Sequence, residues 1–254
     1  LIGVVHIADL AYYQELNERF KAYDSVLFEL IGDPRALTRH APAVLAQQQP
    51  DNSVSSMQHT ASKRLDLAFQ LGSIDYTGRN MVHADTTAEE FARLEQARGE
   101  NVLTFFVSAM QAQMRAGMNG ANRAAMRELD TFALIRILMS EDSSTEFKKA
   151  LAKNFDQMES LTAAMEGPTG TAVLTGRNEF VMKKVKEVLA SRKQRRIAVF
   201  YGGAHMPGIE TLLVREMNAQ ASGEEWLAAW TMPKAKPAAA KTPTTPRAGT
   251  TPAP

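Results

Sequence analysis

Two Gly-x-x-His units lie near opposite ends of the chain, Gly3-Val4-Val5-His6 and Gly202-Gly203-Ala204-His205. An imidazole can take a proton or hold a metal ion near neutral pH. Each unit closes an apolar, β-branched run that reads as a buried strand. A Gly ahead of the His lets the backbone turn tightly and leaves room beside the ring. Set side by side, two such strand ends place two imidazoles at the rim of one sheet, where ligands of open α/β sheets gather. The chain has 15 Gly and five His in 254 residues. About 0.3 such units are then expected by chance, so a pair exceeds what composition supplies.

Other residues could join them. Glu29 stands between Phe28 and Leu30 in an apolar run. A carboxylate buried there must be paired, metal-bound or protonated; the ordinary alternative is a salt bridge to a framework arginine. Asp9 follows His6 by three residues and either orients a ligand or caps a helix starting at Leu10. Arg177-Asn178 opens a later helix. An arginine in a first helical turn can hold a carboxylate or stabilise an oxyanion, and otherwise marks a solvated helix start. His83 and Asp85 form a compact polar pair, read either as site residues or as a loop His and an Asp cap. His40, His59 and the basic stretch Lys183–Arg196 read as surface.

The elements that must position these groups follow from periodicity. Residues 2–8 read as a strand, residues 10–23 as a helix and Ser25–Ile31 as a second strand, bounded by Gly32-Asp33-Pro34. Strand, helix and strand in this order predict a right-handed βαβ unit with parallel strands. Residues 34–52 read as irregular, Ser53–Leu71 as a helix and Ile74–Asp85 as a loop or short extended segment. Thr87-Ala88-Glu89-Glu90 is a capping box that begins a helical insertion over about residues 87–166. Within it, Asn101–Met118, Asn122–Ser140 and Ser144–Glu166 are helical, their methionines serving as core filler. Gly167-Pro168-Thr169-Gly170 ends the insertion. Arg177–Arg192 is a helix, Arg196–Tyr201 a strand, Pro207–Ala219 a helix and Glu225–Met232 a final edge strand. The expected fold is therefore α/β: a central mixed, largely parallel sheet built from N- and C-terminal segments, with a large helical insertion between them. One domain covers residues 1–232. Residues 233–254, rich in Pro, Ala, Thr and Lys, read as a disordered tail.

Composition removes several classes. The formal net charge is +1, and no aromatic interleaving accompanies the basic stretch, so nucleic acid is not the expected partner. No apolar stretch reaches the roughly 18–20 residues that cross a bilayer. With no cysteine, thiolate nucleophiles, thiolate metal sites and disulfides are excluded. There is no phosphate-binding Gly-rich loop ending in Lys-Ser/Thr, no His-Glu-x-x-His and no Gly-x-Ser-x-Gly. Leu1 already lies within a strand pattern. That abrupt start leads us to expect an upstream segment such as a signal peptide, and hence export rather than a cytoplasmic location.

These residues resemble a known family, the TraB/PrgY/GumN group to which the Tiki metalloproteases are related. GVVHIADLAYYQELNERFKAYDSVLFEL looks like the family's opening: a Gly-x-x-His strand, a helix, and a strand ending in apolar-Glu-Leu. RNEFVMKKVKEVLASRKQRRIAVFYGGAHMPGIETLL looks like its closing: an Arg-Asn helix, a strand and the second Gly-x-x-His. IDYTGRNMVHAD resembles a segment of a bacterial subset. The first motif has Val-Val where relatives often have Thr-Ile, a change that leaves the reactive groups untouched. The resemblance implies a site of His6, His205, Glu29, Arg177 and Asn178. It also implies divalent-metal-dependent proteolysis, with manganese or cobalt described for the Tiki relatives and inactivation of a peptide pheromone linked to the PrgY branch. On this reading His6, His205 and Glu29 hold one divalent ion, and Mn, Co, Zn and Fe all suit two imidazoles and a carboxylate. Arg177 would stabilise an oxyanion, oriented by Asn178. Gly3, Gly202, Asp9, His83 and Asp85 would be accessory. The substrate would be a peptide or small molecule. The competing expectation is a non-catalytic binding or regulatory protein that keeps the fold.

Overall fold

The computed structural model describes residues 1–38, 67–100, 137, 139–140, 142–166, 170–191 and 194–232. A four-stranded sheet has the order β1-β6-β3-β5, with β1 at Ile2–Val4, β3 at Ser25–Phe28, β5 at Met81–His83 and β6 at Ile197–Gly202. All its pairings are parallel. The fold is α/β with a largely parallel sheet, as the alternation of strands and helices predicts. A separate two-stranded antiparallel ladder joins β2 (Ile7–Ala8) to β4 (Ala68–Phe69).

The strands alternate their side chains between two apolar layers, as period two requires. Val26, Phe28, Ala198 and Phe200 face one layer with Tyr12, Tyr13, Leu16 and Phe20 of α1 (Leu10–Phe20). Leu27, Val199 and Tyr201 face the other with Val181, Met182 and Val185 of one helix and Ile209 and Leu212 of another. Helices on both faces of a parallel sheet make a three-layer sandwich.

The remaining helices are short α2 (Arg35–Thr38), α3 (Gln70–Ser73), α4 (Ala88–Ala97), α5 (Ser143–Glu166), α6 (Arg177–Ala190) and α7 (Met206–Met217). The capping box expected at Thr87 is formed: its hydroxyl accepts from Glu90 N–H, and the Glu90 carboxylate accepts from Thr87 N–H. A π-helical turn, Ala172–Gly176, leads into α6. No helix among the described residues is long and apolar enough to cross a membrane.

Several boundaries differ from the sequence reading. The first strand breaks after Val4, and Ile7–Ala8 pairs elsewhere, so His6 sits in the bend between β1 and β2. The two strands of the βαβ unit are parallel but not adjacent, because β6 lies between them. Ala68–Phe69 is extended rather than the end of a helix, since its backbone pairs with Ile7–Ala8. Met81–His83, read as a loop or short extended segment, is a full member of the sheet. Residues 225–232 form no strand. They run as an extended strap over the core, held by Asp9 N–H to the Ala229 carbonyl and by the Trp230 indole N–H to the Ile7 carbonyl. The proposed helices within 101–136, His40, His59, most of the 53–71 helix and the 233–254 tail lie outside the described residues.

Candidate functional site

Each parallel strand delivers a polar residue just past its carboxyl end. His6 follows β1, Glu29 follows β3, Asp85 follows β5, and His205 follows β6 in a 3-10 turn, Gly203–His205. Sheet order therefore decides which residues meet. With β6 between β1 and β3, the two Gly-x-x-His ends and the Glu29 end become neighbours. Glu29 is one residue beyond the strand rather than inside it, so its side chain reaches the rim instead of the core.

The Glu29 carboxylate is the centre of the cluster. Its Oε2 accepts Gly202 N–H at 2.5 Å, and its Oε1 accepts Arg177 Nη2–H at 2.7 Å and lies 3.5 Å from His205 Nε2. Burial would raise its pKa. The His205 contact and charge, the Arg177 charge and the Gly202 N–H outweigh burial and hold it down at about 2.

Arg177 is buried rather than a solvated helix start, and it spans both carboxylates. Its Nε donates to Asp85 Oδ1 at 3.0 Å and its Nη2 to Asp85 Oδ2 at 2.5 Å, as well as to Glu29. Such bidentate charged bonds are strong and orient the guanidinium plane. Desolvation would lower the Arg177 pKa, but the Asp85 bonds and both carboxylate charges push it up. Asp85 is itself fixed by Leu30 N–H and Thr86 N–H. Only Nη1 of the guanidinium lacks a carboxylate. It makes longer contacts, 3.3 Å to His205 Nε2 and 3.5 Å to the Val173 carbonyl.

Both imidazoles are anchored by an amide. His205 Nδ1 lies 2.7 Å from Asn178 Oδ1, and His6 Nδ1 lies 2.7 Å from Gln70 Oε1. A carbonyl oxygen only accepts, so each Nδ1 carries a proton, and Nε2 is the nitrogen at which each ring can gain or lose one. Asn178 thus orients His205, while Asp85 orients Arg177. This corrects the expectation that Asn178 orients the arginine. The Tyr201 ring packs edge-on against His205 at 5.2 Å between centroids.

The accessory residues divide. The motif glycines supply room rather than a turn, since neither Gly3 nor Gly202 has a positive φ. A Cβ on Gly202 would meet His6 Nε2 at 3.2 Å and Glu29 Oε2 at 3.3 Å; one on Gly3 would meet Met206 at 2.9 Å. Asp9 stands at the N-cap of α1 but makes no capping bond. Its carboxylate pairs with Lys148 at 2.8 Å and accepts Thr231 N–H, so it ties α5 and the strap to α1 instead of serving the site. His83 sits on β5 with Nε2 2.7 Å from the Leu30 carbonyl, bracing the chain beyond Glu29 rather than pairing with Asp85. Gln70 was not singled out by the sequence reading. Its only local signal is a polar residue directly after the apolar run Leu67-Ala68-Phe69.

Among the described residues, no group of three or more His, Asp or Glu side chains is set as a ready metal site. The Arg177 guanidinium lies between Glu29 Oε1 and His205 Nε2. The donor chemistry nonetheless fits a divalent cation. Two imidazoles, each bonded through Nδ1 to an amide oxygen behind it, direct Nε2 to the rim where the Glu29 carboxylate stands, and in the neutral form each Nε2 offers a lone pair. Glu29 and Asp85 also bring two negative charges against the single positive charge of Arg177. Compared with models of known families, with curated proteins and with solved structures, the chain finds no match.

Proposed function

We propose that the protein is a divalent-metal-dependent hydrolase acting on a peptide or small-molecule carbonyl, the class implied by its resemblance to the TraB/PrgY/GumN and Tiki proteins. The observation that carries this reading is the pair of amide-anchored imidazoles, His6 and His205, whose Nε2 atoms both face the region of the Glu29 carboxylate. His6, His205 and Glu29 would hold the ion, which when bound supplies a Lewis acid that polarises a carbonyl and acidifies water.

The chain's own groups suit the remaining work. Glu29 is ionised at neutral pH and accepts hydrogen bonds on both oxygens. His6 Nε2, with a proton held on the far nitrogen, is the atom that would face the ion at the rim. Arg177 Nη1, the nitrogen without a carboxylate partner, is the donor for a developing oxyanion. A second reading has its own support. Arg177 is satisfied internally by Glu29 and Asp85, as expected of a structural ion cluster beneath a non-catalytic binding pocket.

Metal analysis of the purified protein, followed by cleavage of a mixed peptide library with added cobalt or manganese and with chelator, separates the two. The expected result is chelator-sensitive cleavage that is lost in Glu29→Gln, His6→Ala and His205→Ala, with the double histidine variant hardly worse than either single one. A folded protein that binds neither ion and cleaves nothing would leave the binding-module reading.

A further inference from the structure

We propose that Gln70 is the positioning residue of His6, fixing both the place and the tautomer of that imidazole. Gln70 is almost fully buried, at 3% exposure, where packing alone would be served by an apolar side chain. Instead, each of its polar groups is spent, and two of them on His6. Its backbone N–H donates to the His6 carbonyl at 3.0 Å and its Oε1 accepts from His6 Nδ1 at 2.7 Å. The amide is held from behind, because its Nε2 donates to the Tyr76 hydroxyl at 3.1 Å. Tyr76 in turn packs on Phe28, with ring centroids 4.9 Å apart. Phe28 is the residue before Glu29. The path Glu29–Phe28–Tyr76–Gln70–His6 therefore links the strand end that presents the carboxylate to the imidazole on the same rim.

The placement has a mechanical logic. His6 lies in a bend between two short strands, a position with no regular backbone pairing of its own. The β2–β4 ladder brings Phe69, and with it Gln70 at the start of α3, alongside that bend. Pinning both the carbonyl and the ring of one residue removes the freedom that the bend would otherwise leave. Asn178 does the same for His205 from the other side of the site. A bound carbonyl oxygen forces the proton onto Nδ1 and keeps Nε2 open toward Glu29 and Gly202.

The role of Gln70 in catalysis rests on the hydrolase reading; the tautomer does not. Long-range proton–nitrogen correlation spectra of the full chain labelled with nitrogen-15 in histidine, with His6→Gln to assign the signal, test it directly. Wild-type His6 is expected as the Nδ1–H tautomer. Gln70→Leu is expected to move it to the Nε2–H form and to weaken cobalt binding by about 10- to 100-fold. Gln70→Glu, which keeps an acceptor in place, is expected to retain Nδ1–H and near-wild-type cobalt affinity. An Nε2–H tautomer in the wild type, or Nδ1–H retained in folded Gln70→Leu, overturns the proposal. If Gln70→Leu does not fold, the wild-type and Gln70→Glu spectra decide it. Failure of the wild type to bind cobalt overturns the metal reading alone, and the tautomer result still judges Gln70.

Discussion

Gly202, from the second Gly-x-x-His unit, leaves the room that His6, from the first, and Glu29 both border. A Cβ at Gly202 would stand 3.2 Å from His6 Nε2 and 3.3 Å from Glu29 Oε2, and its N–H bonds that same oxygen at 2.5 Å. The two units thus complement one another rather than acting as separate copies of one device.

A control sits beside it. A Cβ on Gly203 would meet only the Val4 carbonyl, at an ordinary 3.8 Å. Gly202→Ala should cost about 1–3 kcal/mol by crowding a packed cluster, whereas Gly203→Ala should stay within about 0.5 kcal/mol. Urea unfolding of the two variants makes the comparison. Equal effects would show that the approach of His6 to Gly202 carries no weight.

The ion cluster predicts an unequal response to losing its members. Arg177→Leu strands the Glu29 and Asp85 carboxylates together in a buried place and should cost about 3–5 kcal/mol. Glu29→Gln leaves Arg177 its two bonds to Asp85 and should cost about 2–3 kcal/mol. Thermal or urea unfolding checks the order. A Glu29 variant as damaging as the Arg177 variant would mean that Asp85 does not hold the guanidinium by itself.

Acid should expose the Glu29 contribution. Its carboxyl is held down from 4.5 to about 2, so the folded state binds the proton less readily than the unfolded chain does. The stabilisation is fully present above about pH 4.5 and is lost as the pH falls through about 2. Between those limits the wild type should lose on the order of 3 kcal/mol through this group, and Glu29→Gln should lack that part of the slope. Unfolding free energies measured across this range, wild type against variant, decide it. Parallel curves would show that Glu29 is not held ionised by its partners.

The sequence by itself marked the runs that become β1, β3 and β6, the helix α1 and the capping box at Thr87, and it singled out His6, Glu29, Arg177, Asn178 and His205 as candidates. The reason is that β-branched runs, 3.6-residue periodicity and a capping box are local signals: Ile197–Gly202, α1 and Thr87 each follow from their immediate neighbours. It also marked Glu29 as needing a partner, because a carboxylate in an apolar run is costly wherever the chain goes. Tertiary structure alone decided who the partners are. Insertion of β6 between β1 and β3 put His205, Glu29, Gly202 and His6 at one rim, and no local pattern encodes strand order. Addition of β5 brought Asp85 to Arg177 across 92 residues of chain. The antiparallel pairing of Ala68–Phe69 with Ile7–Ala8 overrode a helical reading and delivered Gln70 to His6. Asp9 looked like a cap, but the distant Lys148 and the strap at Thr231 claimed its carboxylate. In each case a long-range polar contact, formed only once the chain is folded, outweighed a weak local preference.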